Sequence, residues 1–204
     1  MPPLVVCVEA NIGAGKSSAL DALAREGLPT FPEPVGQWAE WLALFYADPG
    51  RWALAFQLKV LTSFVTMREP LARSTARFAF VERSPASCRG VFGQNIRDTG
   101  HWTPLEGALF DDVYAAVSWN PDLHVVLRVS PELCWQRMQS RGRDAEDAGV
   151  TRAYIDAIDR LHEVAFAPGR ASGAPVVHLD IPPEWTPEQT AARIHRAAIE
   201  FFGP

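Results

Sequence analysis

The sequence predicts an α/β protein in three layers, with a five-stranded parallel sheet between two layers of helices. Short apolar runs alternate with longer segments of helical periodicity, a pattern typical of parallel strands joined by helices. A glycine-rich turn that leads from the first apolar run directly into a helical segment is the second indication. The predicted strands span residues 4–8, 29–31, 78–81, 123–129 and 175–179.

The predicted helices fill the segments between and after these strands. Gly27 ends the first helix, and Ser130 with Pro131 provides a cap and a first-turn proline for a later one. Thr186 and Gln189 have the spacing of a capping box at the start of the last helix. The predicted helices span residues 18–25, 35–46, 52–76, 87–97, 104–118, 131–141, 152–166 and 187–202.

Length and composition predict one globular domain, residues 1–204, because a chain of this length can bury a sizeable core. A net charge of −5 argues against a nucleic-acid-binding surface. No apolar run approaches the roughly 20 residues of a membrane span, so no membrane partner is expected. Three cysteines without metal-type spacing favour a reducing compartment. Because the first strand leaves no room for a targeting segment, we expect a cytoplasmic location.

The glycine-rich turn is the strongest functional signal in the chain. In a strand–turn–helix setting, such a loop directs backbone N–H groups at phosphate oxygens. Lys16 would reach the outer phosphates, and the Ser17 hydroxyl would bind Mg²⁺. The alternative is an ordinary glycine-rich turn, but Lys16 and Lys59 are the only lysines beside seventeen arginines. The residues expected to contact a nucleotide are Asn11, Ile12, Gly13, Ala14, Gly15, Lys16, Ser17 and Ser18.

Acidic residues follow the second and third predicted strands. Glu33 precedes Pro34, which disfavours helical geometry at Glu33, and Glu82 and Arg83 directly follow the third strand. Ligands bind outside the carboxyl ends of parallel strands, so these side chains are candidates for a site beside the phosphate loop. The alternative is a pair of solvated surface carboxylates.

Three arginines at the end of the helix 131–141 form a basic cluster. Arg137 and Arg141 lie on one helical face, Gly142 ends the helix, and Arg143 follows. Such guanidinium groups repel one another unless an anion joins them, and a phosphate chain would serve. The alternative is a solvated helix end favoured by the helix dipole.

The long predicted helix 52–76 carries one amide in an apolar stripe. Gln57, Val60, Leu61 and Phe64 share that stripe at helical spacing. A buried amide needs hydrogen-bond partners, and a flat heteroaromatic ring with donors and acceptors would supply them if the stripe lines a pocket. A structural glutamine bonded within the core is the alternative.

Taken together, these segments resemble the deoxynucleoside kinases, the family of deoxycytidine, deoxyguanosine and mitochondrial-type thymidine kinases and the broad-specificity insect enzyme. The resemblance runs almost end to end. It rests on residues 9–17, 32–35 with Trp38, 51–57, 82–84 and 137–146. It implies the P-loop kinase fold, ATP as phosphate donor, Mg²⁺ as metal, and a homodimer formed through a helix bundle.

The resemblance also implies roles on the phosphate side of the site. Glu33 would take the proton from the sugar 5′-hydroxyl, and Arg83 would hold that hydroxyl and the transferring phosphate. Glu82 would help to hold Mg²⁺. An arginine-rich lid near 137–146 would cover the ATP phosphates, and a loop at 180–185 would contact adenine. The residues in these last two roles would be Arg137, Arg141, Arg143, Glu184 and Trp185.

On the nucleoside side, the resemblance implies that Glu146 and Tyr46 bind the 3′-hydroxyl. Gln57 would hydrogen-bond the base edge, and Trp38 and Phe92 would pack against the base.

Three departures from the family pattern stand out. Ala10 replaces the first glycine of the loop, and the chain is shorter than most members. Phe64 and Cys88 stand where members selective for deoxycytidine or purines place an arginine and an aspartate. An apolar recess at these two positions predicts a preference for pyrimidine deoxynucleosides, thymidine included, although core packing would also account for both residues.

The sequence therefore predicts ATP-dependent phosphorylation of a deoxynucleoside 5′-hydroxyl, with a small-molecule substrate as partner. One alternative is a thymidylate-type nucleoside monophosphate kinase, which has the same fold but a phosphate on its acceptor. The other is a non-catalytic nucleotide-binding regulator. Against the regulator, the chain lacks the Asn-Lys-x-Asp guanine-reading motif and carries lid arginines typical of transfer enzymes.

Overall fold

A computed structural model describes residues 2–142, 149–167 and 173–203. Five parallel strands form one sheet in the order β2-β3-β1-β4-β5, which confirms the predicted α/β class. The strands are β1 (Leu4–Glu9), β2 (Thr30–Phe31), β3 (Phe78–Glu82), β4 (Leu123–Arg128) and β5 (Val176–Asp180).

Helices follow or connect the strands, and most differ from the predicted helices only at their ends. A 3-10 turn spans Val35–Gln37, and a π-helical turn at Cys88–Gly93 interrupts the predicted helix 87–97. The α-helices are α1 (Lys16–Arg25), α2 (Ala39–Ala47), α3 (Pro49–Arg73), α4 (Pro85–Ser87), α5 (Gln94–Asp98), α6 (Pro104–Val117), α7 (Pro131–Arg141), α8 (Arg152–Ala165) and α9 (Pro187–Phe202).

Two predicted helices differ from the structure in ways that shape the site. The predicted helix 35–46 is divided, because Trp38, with φ −133°, separates the 3-10 turn from α2. The helix predicted from residue 52 begins at Pro49 instead, where the Asp48 side chain accepts a hydrogen bond from the Arg51 backbone N–H at 3.2 Å. Aspartate caps and first-turn prolines favour such a start.

Strand β1 is buried on both faces, which explains its continuous apolar sequence. Val6 and Val8 pack into the cluster that includes residues of α1 and α9, whereas Cys7 packs against Met67 and Leu71 of α3 on the opposite face. Because successive side chains of a strand point to opposite faces of the sheet, β1 packs against helices on both sides.

The carboxyl ends of three strands bring the predicted site residues to one edge of the sheet. Val8 of β1 pairs with Glu82 at the end of β3, and Phe31 of β2 pairs with Val81. The loop after β1, Glu33 after β2 and Arg83 after β3 therefore emerge side by side. Across the described ranges, no helix has the length and apolar character needed to cross a membrane.

Candidate active site

The loop after β1 requires glycine at two positions. Gly13 has φ +77° and Gly15 has φ +93°, a backbone region that glycine enters most easily. A Cβ at Gly13 would also overlap the backbone carbonyl of Cys134 on α7. The loop therefore lies directly on the first turn of α7, with no space for a side chain between them.

Ala10 stands where the family pattern has a glycine, and the structure explains why it is tolerated. Of the described non-glycine residues, only Arg83 has a positive φ, so Ala10 adopts a backbone that any residue accepts. Its methyl group is buried in the core between the sheet and α1.

Lys16 lies beneath this loop, with only 5% of its surface exposed. Its Nζ donates to the carbonyl oxygens of Ala10 at 3.1 Å and Asn11 at 2.9 Å. Burial, together with repulsion by Arg83, lowers the pKa of Lys16 to about 8. The loop thus holds the ammonium group where burial and Arg83 disfavour its positive charge. An anion bound at this point would stabilise that charge.

Asn11 lies outside the cavity lining, unlike the loop residues that follow it. Its side-chain amide donates to the Ile155 carbonyl of α8 at 2.9 Å, and its Oδ1 accepts the Ile12 backbone N–H at 2.8 Å. Asn11 therefore ties the loop to α8, and its predicted nucleotide contact remains a prediction.

A hydroxyl and a carboxylate converge beside the loop. The Ser17 Oγ donates to Glu82 Oε1 at 2.8 Å, and Glu82 Oε2 accepts the Glu33 backbone N–H at 3.2 Å. The described residues hold no cluster of three or more His, Cys, Asp or Glu side chains able to hold a metal ion. Mg²⁺ commonly binds one or two carboxylates together with substrate phosphates and water, so Ser17 and Glu82 fit it as partial ligands.

Glu33 and Arg83 form an ion pair next to the contact between Ser17 and Glu82. Arg83 Nε lies 3.1 Å from Glu33 Oε1, with 17% of the Glu33 side chain exposed. Burial raises the pKa of Glu33 above its ordinary value, although the Arg83 charge opposes that shift. A carboxylate with a raised pKa is a better proton acceptor, as general-base catalysis requires.

Arg83 has an unusual backbone conformation, with φ +64°. Such strain costs about 1–3 kcal/mol in a non-glycine residue and persists where surrounding contacts hold it. The Arg83 backbone N–H donates to the Val8 carbonyl at 2.9 Å, and Nη1 donates to the Ala10 carbonyl at 2.8 Å. The guanidinium carbon also lies 4.7 Å from the centre of the Phe92 ring. These contacts fix the guanidinium beside the phosphate loop.

Glu9, the last residue of β1, has a supporting contact that sequence reasoning did not predict. Its side chain is completely buried, and Oε1 accepts a hydrogen bond of 2.5 Å from the Ser84 hydroxyl. Burial alone would raise the pKa of Glu9, but contacts with His124 and Ser84 and the Arg83 charge lower it. Glu9 therefore ties β1 to the residue that follows Arg83.

One cavity of about 660 Å³ joins the phosphate loop to an aromatic pocket. The predicted nucleoside-side residues that line it are Trp38, Tyr46, Gln57, Phe64, Cys88 and Phe92. Gln57 is 3% exposed, and its Oε1 has no hydrogen-bond partner among the described residues. A buried amide oxygen without a partner is unfavourable, so this pocket is suited to a ligand that donates a hydrogen bond.

The predicted lid and adenine residues are placed only in part. Arg137, Arg141 and Trp185 line the cavity, and a Cβ at Gly15 would come within 3.8 Å of the Arg137 guanidinium. Glu184 is exposed and does not line the cavity. Two further predicted residues, Arg143 and Glu146, lie outside the described residues.

Sequence reasoning missed other cavity residues, although several directly precede residues that it named, as Phe45 precedes Tyr46 and Ser87 precedes Cys88. Phe56 could also have been found, since it is adjacent to Gln57 and one turn from Val60 on α3. The missed lining residues are Asp21, Val35, Leu42, Phe45, Phe56, Ser87, Ile96, Ser140, Tyr154, Ile181, Pro187 and Thr190.

Comparison with known proteins agrees with this geometry. A family model described as deoxynucleoside kinase matches residues 6–200. The chain is 31% identical to thymidine kinase 2, mitochondrial, of Homo sapiens over 169 residues, which cover 78% of this chain and 63% of that relative. It is 35% identical to the thymidine kinase of Ictalurid herpesvirus 1 (78% of this chain, 73% of the relative). It is 27% identical to deoxycytidine kinase 2 of Gallus gallus (78% and 72%). The matched region thus spans less than two thirds of the human relative's length.

Proposed function

The chain belongs to the deoxynucleoside kinase family, and from that premise we propose that it transfers the γ-phosphoryl group of ATP to the 5′-hydroxyl of a deoxynucleoside. The similar proteins named thymidine kinase and deoxycytidine kinase support this acceptor class.

The observation that carries the proposal is the continuity of one cavity from Lys16 to Gln57. At one end are the loop N–H groups and a buried lysine, which suit phosphates. At the other end, aromatic rings surround an amide oxygen that lacks a partner. The Glu33–Arg83 pair lies between them, where a sugar hydroxyl would meet a phosphoryl group.

The proposed roles follow from these contacts. Glu33 accepts the proton of the 5′-hydroxyl, and its raised pKa favours that step. Arg83 and Lys16 stabilise negative charge on the transferring group, since positioning and charge stabilisation dominate phosphoryl transfer. When bound, ATP and Mg²⁺ supply the phosphoryl group and additional charge neutralisation, with Ser17 and Glu82 holding the metal.

The arginines after β4 form the proposed lid of a single domain. Arg137 and Arg141 already line the cavity near the loop, and Arg143 is assigned to the lid by its place in the sequence. Trp185 is proposed to contact adenine, with Glu184 beside it. The proposed partners of the 3′-hydroxyl are Tyr46, which lines the cavity, and Glu146, which is assigned by its place in the sequence.

A pyrimidine preference is proposed from the base pocket. Phe64 and Cys88 are each 3% exposed and line the cavity beside Gln57. The Gln57 amide offers an N–H and a C=O, so the same side chain pairs with thymine or cytosine. A thymine methyl group in an apolar recess contributes only about 1 kcal/mol, so we expect modest discrimination between the two, at most roughly tenfold.

A thymidylate-type acceptor is less compatible with this geometry. A monophosphate would bring its own phosphate close to the Glu33 carboxylate, which already pairs with Arg83 Nε. Two negative groups close together in a partly buried site repel each other strongly. A nucleoside hydroxyl carries no such cost and can donate to Glu33.

The surface of α6 supports the proposed assembly, and the cysteines support the proposed location. Leu105 and Leu109 are exposed one turn apart on α6, which packs against α3, and they support a homodimer formed through a helix bundle. The three cysteines are buried free thiols, which suits a reducing compartment such as the cytoplasm. The net charge of −5 supports a small-molecule partner rather than nucleic acid.

The proposal is tested with γ-labelled ATP offered separately with each of the four deoxynucleosides and with their monophosphates. Lys16→Met serves as the control for label transfer that does not depend on the loop. We expect labelled monophosphates, most from thymidine and deoxycytidine, and none with Lys16→Met. Stable ATP binding without transfer to any nucleoside would favour the regulator instead.

A further inference from the structure

Among the described residues, the Arg83 guanidinium contacts Glu33, Phe92, Ala10 and His162. The last two do not line the substrate cavity, and His162 is the one that contacts Arg83 with its side chain. Arg83 Nη1 lies 3.4 Å from Nε2 of His162, which is on α8 and 3% exposed. His162 instead borders a smaller hollow behind the phosphate loop, together with Asn11 and Asp159. A contact between His162 and a nucleoside in the main cavity is therefore not expected.

The hydrogen bonds of His162 define which ring nitrogen faces Arg83. Nδ1 lies 2.8 Å from the Ile158 carbonyl oxygen. Because a carbonyl only accepts hydrogen bonds, Nδ1 carries the hydrogen and Nε2 presents a lone pair to Arg83. Burial and the Arg83 charge lower the pKa of His162 to about 3, so the ring stays neutral and remains an acceptor.

The position of the His162 ring is itself fixed by aromatic neighbours. Phe166 stacks on it with a centroid distance of 6.1 Å, and Phe92 meets it nearly perpendicularly at 6.3 Å. The Arg83 guanidinium also lies over the face of Phe92, with its central carbon 4.7 Å from the ring centroid. The imidazole and the guanidinium are thus held by the same ring.

These contacts divide the donors of Arg83 in a specific way. Nε faces Glu33, and Nη1 faces the Ala10 carbonyl and His162. Nη2 takes part in none of these three contacts. With Nη1 occupied behind the loop, Nη2 is the donor left for a ligand in the cavity.

We propose that His162 is a positioning residue for Arg83: its Nε2 fixes the guanidinium plane from behind the phosphate loop, so that Nη2 faces the transferring phosphoryl group. This inference rests on the proposed kinase function. His162 touches neither substrate, and its effect on turnover passes entirely through Arg83.

Three substitutions of His162 distinguish the effect of its hydrogen-bond acceptor from the effect of the volume that its ring fills. His162→Phe and His162→Leu remove the acceptor, whereas His162→Gln places an amide oxygen near the position of Nε2. We expect kcat for thymidine to fall about tenfold in His162→Phe and His162→Leu, with the KM values for ATP and thymidine within twofold of wild type. In His162→Gln, kcat should recover at least half of that loss on a logarithmic scale. His195→Phe is the matched control, because His195 packs between Phe78 and Phe80 on the far side of the sheet core.

A second measurement does not depend on turnover. The Nε–Hε signal of Arg83, identified by its loss in Arg83→Lys, is followed by ¹⁵N NMR in the nucleotide-free protein. It should move in His162→Phe and His162→Leu but not in His195→Phe, and it should return toward the wild-type position in His162→Gln. Unchanged signals, or kcat within twofold of wild type in both acceptor-free variants, would overturn the inference. If the wild type phosphorylates no deoxynucleoside, the proposed function fails, and the NMR comparison still decides the role of His162.

Discussion

Lys16 shows at the scale of one residue how the phosphate loop favours an anion. Its Nζ has two carbonyl partners but little solvent, and its pKa is lowered to about 8. A bound triphosphate would favour the charged amine and raise that pKa again. Protonation of Lys16 and nucleotide binding are therefore linked.

The linkage predicts how ATP affinity depends on pH. Above pH about 8, free protein loses the Lys16 proton, so binding must take up one proton and the affinity should fall by nearly tenfold per pH unit. Below pH 8 the amine is already charged, and Lys16 adds no dependence. Calorimetric titration between pH 7 and pH 9.5 measures this slope. Lys16→Met has no titrating amine, so its weaker ATP affinity should not change with pH over this range. A wild-type ATP affinity that does not change with pH would contradict the assignment of Lys16 to the phosphates.

Glu33 provides the second prediction at this scale. Glu33→Gln keeps the shape of the side chain but removes the proton acceptor, so kcat for thymidine should fall about 10²–10⁴-fold while KM changes little. Steady-state kinetics measures both constants. Glu40→Gln, an exposed change on α2, is the control and should match wild type. A kcat within about threefold of wild type for Glu33→Gln would make Glu33 structural and leave Glu82 as the next candidate.

At the scale of elements, the site depends on the close contact between the phosphate loop and α7. Gly13→Ala should abolish detectable ATP binding and destabilise the protein, because its Cβ would overlap the Cys134 carbonyl. Gly27→Ala is the matched control: it has a similar φ of +83° but open space around the added methyl group. Its cost should be only the about 1–2 kcal/mol of left-handed backbone.

Thermal unfolding and ATP titration of both glycine variants check this prediction. Equal destabilisation by the two changes would mean that the contact with α7 contributes nothing, and that φ alone explains the need for glycine at residue 13.

The sequence was sufficient for elements whose pattern is local. The strands were predictable because β1 and β3 are buried on both faces and read as continuous apolar runs. The π-helical turn at Cys88–Gly93 was not, since helical periodicity does not distinguish it from an α-helix. The positive φ of Arg83 also has no sequence signal, because it is held by contacts with β1 and the loop.

The predicted site divides in the same way. Lys16 and Ser17 were predicted from the spacing of the glycine-rich loop, and Glu82 was predicted from its place directly after the third strand. Asn11 shares that motif but turns toward α8, and His162 of α8 meets Arg83 across 79 positions of sequence. Only tertiary packing brings such residues together, and no local pattern records it.

At the scale of the whole molecule, α3 and α6 pack together and leave an apolar surface on α6. Leu105 is 81% exposed and Leu109 is 49% exposed. If the proposed homodimer forms through these helices, Leu105→Glu/Leu109→Glu should convert it to a monomer of 22.5 kDa. Sedimentation velocity measures the change.

Val164→Glu is the matched control for that experiment, because Val164 is 52% exposed on α8, away from α6. It should leave the sedimentation coefficient unchanged. A wild-type protein that already sediments as a monomer at micromolar concentration would contradict the proposed dimer.

The identity of the acceptor is the central claim, and one competition experiment tests it most directly. Wild-type protein is given γ-labelled ATP with thymidine and thymidine monophosphate together at equal concentration, and the labelled products are separated. Because Glu33 accepts a hydroxyl proton and repels a second phosphate, the label should appear in thymidine monophosphate. Label found mainly in thymidine diphosphate would contradict the account.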